Sequence, residues 1–187
     1  PLIPIQILWV NLVTDGLPAM ALGVDSSDKD IMQRPPRKSQ ENIFAGGLGW
    51  KIIRRGIQIG LSTVFVFTVG LYLENGNLDL ARTMTFATLV LSQMFFVFTC
   101  RSEKHSIYEL GFFSNLYLVG AVLISISLLL VAIYVPALQA IFQTIPLGIN
   151  NWLIVIVVSS IPLVTSGIGY LWKCLWRNNL SLAGVEK

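Results

Sequence analysis

Residues 110–172 read LGFFSNLYLVGAVLISISLLLVAIYVPALQAIFQTIPLGINNWLIVIVVSSIPLVTSGIGYLW, 63 residues without one Asp, Glu, Lys or Arg. A helix crossing about 30 Å of hydrocarbon needs roughly 20 residues, so this run holds two spans and a turn. Pro136, Gln143, Thr144, Pro146, Gly148, Asn150 and Asn151 mark the turn, because these residues end helices or prefer water. The reading predicts helices over 113–135 and 150–173. Working outward, 83–100 and 56–73 are charge-free for 18 residues each, and 1–24 is interrupted only by Asp15. These predict three more helices, over 84–101, 51–73 and 4–23. The expected fold is all-α: a polytopic membrane bundle of five transmembrane helices forming one domain over 1–187, with a loop at 24–50 and a tail at 174–187.

Composition agrees. The chain is 54% hydrophobic and 12% charged, with mean hydropathy +0.70, against about 25% charged residues in an ordinary soluble domain. That balance argues against disorder, a nucleic-acid partner and a soluble enzyme; the expected partner is the lipid bilayer. Cys100 and Cys174 form no CxxC pair and His105 is the lone histidine, so neither a disulfide framework nor an imidazole site is expected. A chain starting at Pro1 inside an apolar run reads as a segment of a longer polypeptide.

With five spans, the 24–55 stretch, the 101–112 loop and the tail fall on one side, and they carry twelve of the 13 basic residues; only Arg82 falls opposite. Basic loops stay cytoplasmic. The N-terminus is therefore expected outside and the C-terminus in the cytoplasm, with Arg54, Arg55 and Arg101 among the topology signals. Gly56 and Gly60 form a GxxxG pair that predicts close packing within the chain.

Asp15 is the one charge well inside a predicted span. An acid at mid-membrane costs about 2.5–3.5 kcal/mol on insertion scales, so it must face protein, water or a cation. On an α-helix Asn11 stacks one turn before Asp15, and Thr14 lies about 60° from Asn11. Carboxylate, amide and hydroxyl oxygens are hard ligands suited to Ca²⁺. Gly16 and Pro18 predict a helix break directly after Asp15, which frees carbonyls for a cation. A purely structural hydrogen-bonding Asp is the plainer alternative. Ca²⁺ takes six to eight oxygens, so one helix supplies only part of a site.

LWVNLVTDGLPA at 8–19, DIMQRPPR at 30–37, Gln93-Met94-Phe95, TCRS at 99–102, Glu109-Leu110-Gly111-Phe112 and YVPALQ at 134–139 closely resemble the P-type Ca²⁺-transporting ATPases of the bacterial and secretory-pathway type. The resemblance covers the whole chain and implies the last five of ten transmembrane helices, the C-terminal membrane domain of a pump that exports Ca²⁺ from the cytoplasm. It implies that Asn11 and Asp15 are metal ligands, in a site completed by a Glu and backbone carbonyls from a helix this chain lacks. Thr14 matches a ligand of a second site in two-ion pumps. The Glu that such a site needs corresponds to Gln93, a neutral amide, so one Ca²⁺ per cycle is expected; Mn²⁺ stays open. The chain contains no phosphorylation motif, nucleotide-binding domain or actuator motif. Mg²⁺ and ATP therefore enter only through absent domains, and the implied partners are the N-terminal membrane helices and cytoplasmic catalytic domains of the same parent chain. Taken alone, the segment is not expected to hydrolyse ATP. The competing classes are an oligomeric cation channel with a ring of Asp15 side chains, and a non-transporting scaffold for a partner half-transporter.

Overall fold

The computed structural model describes residues 2–25, 32, 44, 47–73, 76–101 and 111–168. Regular structure among the described residues is helical throughout. In chain order the elements are α1 (Pro4–Trp9), a π-helical turn (Val10–Asp15), α2 (Gly16–Gly23), α3 (Leu48–Leu73), α4 (Leu78–Val97), α5 (Leu116–Tyr134), α6 (Pro136–Phe142) and α7 (Ile149–Ser159). They make five helices long and apolar enough to cross a membrane: Pro4–Gly23, Leu48–Leu73, Leu78–Cys100, Leu116–Tyr134 and Ile149–Ile168.

Span order and number match the reading of the charge-free runs, while the boundaries move for local reasons. The third span starts six residues before the expected position 84. Asn77 caps it, its side-chain oxygen accepting from the Asp79 and Leu80 N–H groups at 3.1 and 3.2 Å. The charges that looked like loop lie inside the helix, where Arg82 pairs with Asp79 at 3.6 Å. The fourth span starts at Leu116 because Asn115 accepts from Leu118 N–H at 3.0 Å; caps of this kind satisfy donors that a helix start leaves unpaired. Pro136 does not end the chain's helical course. It opens α6 at the first helical position, where its missing N–H is harmless. Gln143 then ends α6 in the left-handed region, φ 49°. Positions 169–173 of the last expected helix, most of the 24–50 loop and the 174–187 tail lie outside the described residues.

Helix α4 is the centre of the bundle. Phe86, Met84, Met94, Val90 and Ala87 are fully buried on it, and α3, α5 and α7 pack around it. Its share of small residues explains this: without a hydrophobic drive between helices in lipid, close backbone approach through small side chains and hydroxyl bonds holds spans together. Gly70 of α3 lies so near α4 that an added Cβ would stand 2.8 Å from the Ala81 Cα. Gly56 and Gly60, by contrast, meet nothing within 4 Å. The intimate contact of α3 is therefore made at Gly70 and not at the GxxxG pair. The lipid-compatible outer side of α3 carries exposed Ile53, Ile57, Leu61 and Val64.

Two of the basic residues read as topology signals serve as interhelical anchors. Arg55 of α3 donates through Nη1 to the Pro162 carbonyl at 2.9 Å and to Thr165 Oγ1 at 2.8 Å. Its guanidinium also lies 5.9 Å from the centre of the Phe96 ring. Arg101 is the second anchor. At the other end of the bundle Gln6, fully buried, donates through Nε2 to the Phe142 carbonyl at 2.9 Å. Trp9 meets the Phe142 ring edge-on, with centroids 4.9 Å apart.

Candidate cation site on the first span

The first span is not one uniform α-helix. Between Val10 and Asp15 it widens into a π turn, and α-helical bonding resumes at Gly16 and runs through Pro18. The irregularity expected after Asp15 therefore lies before it. A π turn reaches back five residues instead of four, and such turns concentrate at functional sites. Pro18 has no N–H to give. It follows Val13 by five residues and Thr14 by four, so it can serve the carbonyl of neither. The fully buried Ser125 of α5 directs its hydroxyl at the Val13 carbonyl at a long 3.4 Å.

The widened turn divides the three oxygen-bearing side chains. Asn11 and Asp15 are both exposed, and among the described residues neither side chain has a hydrogen-bond partner. Thr14 is 3% exposed and turned into the bundle. Its hydroxyl donates to Gln93 Oε1 of α4 at 2.8 Å and lies against the Val10 carbonyl as well. A hydroxyl has one proton, so Thr14 shares it between two acceptors. The structure thus joins Thr14 to Gln93 and keeps Asn11 and Asp15 together on the other side. Asn11 and Asp15 can offer one amide and two carboxylate oxygens, an incomplete shell for a cation that prefers six or more. Among the described residues no three His, Cys, Asp or Glu side chains gather into a metal cluster.

Sequence reasoning did not single out Ser125 or Gln6. The available signal was weak: a neutral polar residue within a charge-free run, which most often serves helix packing.

Residues 1–173 match the family described as cation transporting ATPase, C-terminus. The chain belongs to this family. Together with five apolar helices, membership in the cation-transporting ATPase C-terminal family makes it an integral membrane segment. Over 162 residues it is 54% identical to the calcium-transporting ATPase of Bacillus subtilis, covering 87% of this chain and 18% of that protein. Over 174 residues it is 37% identical to calcium-transporting ATPase 1 of Saccharomyces cerevisiae, covering 92% of this chain and 18% of the relative. The human calcium-transporting ATPase type 2C member 2 is 39% identical over 148 residues, 79% of this chain and 16% of the relative. The chain thus spans less than a fifth of the length of each of these three curated relatives.

Proposed function

We infer that this chain is part of the membrane domain of an ATP-driven pump that exports Ca²⁺ from the cytoplasm, and that Asn11 and Asp15 contribute to its transport site. The observation that carries the reading is the exposure of these two side chains, unpartnered among the described residues, on a helix otherwise apolar along that side. An uncompensated carboxylate in a span is unfavourable; a transported cation, with oxygens from helices outside this chain, compensates it. The names of the relatives support Ca²⁺ as the ion. Oxygen donors also suit Mn²⁺, so Mn²⁺ is a candidate second substrate. The engagement of Thr14 with neutral Gln93 supports one ion per cycle, since a second divalent ion at that place would lack a carboxylate. ATP, Mg²⁺ and the phosphorylation step belong to catalytic domains joined to this segment. The asymmetry of basic residues supports an extracytoplasmic N-terminus and a cytoplasmic C-terminus.

The test is a chimera in which this chain replaces the matching segment of the Bacillus subtilis relative, assayed for ATP-driven Ca²⁺ uptake into vesicles. Uptake is expected, and Asp15→Asn should abolish it or weaken apparent Ca²⁺ affinity by at least about tenfold through loss of a charged ligand. Unchanged uptake in that variant would instead identify a scaffold. Passive Ca²⁺ conductance of the purified chain in liposomes without nucleotide would identify a channel.

A further inference from the structure

Arg101 follows the third span, and its side chain is only 3% exposed. Its Nε donates to Asp25 Oδ2 at 2.7 Å and Nη2 to Asp25 Oδ1 at 3.0 Å. Its Nη1 donates to the Gly111 carbonyl at 2.9 Å and to Ser114 Oγ at 2.8 Å. A topology signal functions equally well when hydrated, whereas this guanidinium is spent on directional bonds to two other parts of the chain. Its forked pairing with a carboxylate is the geometry that arginine alone among the cations provides. Asp25 lies just past the end of α2, the segment that leads from Asp15. A turn earlier, the Ala21 carbonyl accepts from Asn115 Nδ2 at 3.1 Å. The exit of the first span, the end of the third and the entry to the fourth therefore meet at one cation.

We propose that Arg101 is a positioning residue for the cation site: by gripping Asp25 it fixes the rotation and depth of α2, and so the direction in which Asn11 and Asp15 face. Asp25 stands ten residues from Asp15, about 15 Å along a helix at 1.5 Å per residue. Helix α2 between them is regular, so a rotation at its end reaches Asp15 undiminished. The proposal rests on Asn11 and Asp15 serving the transported ion.

The experiment uses the same chimera and reads two quantities: the Ca²⁺ concentration giving half-maximal ATPase activity, and the maximal rate at saturating Ca²⁺. Arg101→Gln and Asp25→Asn should each raise the half-maximal concentration about fivefold or more while the maximal rate stays within about twofold. Because the two residues act as one unit, the double variant should be no worse than either single one. Arg101→Lys keeps the charge but loses the fork, and should show the same shift in a form that folds even where Arg101→Gln does not. A parental half-maximal concentration in Arg101→Lys, or additive effects in the double variant, overturns the proposal. Asp15→Asn in the same assay separates the two readings. If it abolishes Ca²⁺ dependence while Arg101→Lys has no effect, the cation site stands and the positioning role falls. If it has no effect, the site reading itself fails.

Discussion

The hydroxyl of Thr14 donates to Gln93 Oε1 at 2.8 Å, joining two residues 79 positions apart in the chain. It also touches the Val10 carbonyl inside the π turn, so one bond ties the irregular part of the first span to the most buried helix of the bundle. In the two-ion pumps that this chain resembles, these positions correspond to ligands. Here the two side chains satisfy each other.

Thr14→Val and Gln93→Leu should each lower stability by about 1–3 kcal/mol, because each strands a polar partner away from water. The double variant should be destabilised by less than the sum, with a coupling of about 0.5–2 kcal/mol. Thermal unfolding of the four proteins in detergent measures this; strict additivity would mean that the contact is not formed.

Two glycines on one helix should respond in opposite ways. Gly70→Ala drives a methyl to within 2.8 Å of the Ala81 backbone, and should destabilise by about 1–3 kcal/mol as an overpacked contact. Gly60→Ala meets nothing within 4 Å, and should be neutral or gain up to about 1 kcal/mol from helix propensity. The same unfolding measurement ranks the two; an equal response would contradict the placement of α3 on α4.

Arg55 should matter for holding the last span more than for orienting the chain. Arg55→Gln removes bonds to the Pro162 carbonyl and Thr165 and the approach to Phe96. The expected loss is about 1–3 kcal/mol. Limited proteolysis should show faster cleavage near the last span, with unchanged membrane topology by cysteine accessibility. An inverted topology in this variant would restore the topogenic reading.

Much of the architecture is legible before any coordinates, because lipid imposes a coarse rule: about 20 residues without charge per crossing. The 63-residue run from 110 to 172 could hold only two spans, and it does. Legibility fades where local chemistry overrides that rule. Asn77 starts the third span as a cap and draws Asp79 and Arg82 into helix. Pro136, read as a terminator, begins α6 because a first-turn proline lacks nothing that the helix needs. At the candidate site, Asp15 stood out as the one charge within a span. An ideal helix also places Thr14 near Asn11, and only the wider turn sends it toward Gln93. Arg55 and Arg101 show the remaining gap. Charge counting cannot reveal partners 107 and 76 residues away.

The first span is fastened along one flank at three heights: Gln6 to the Phe142 carbonyl, Thr14 to Gln93, and Asp25 to Arg101. A rod bolted at three points cannot slide or tip without shearing a bolt. Helices α4–α6 and the first span therefore form a stationary wall. Opening and closing around the free flank, where Asn11 and Asp15 stand, is left to whatever moves against that wall.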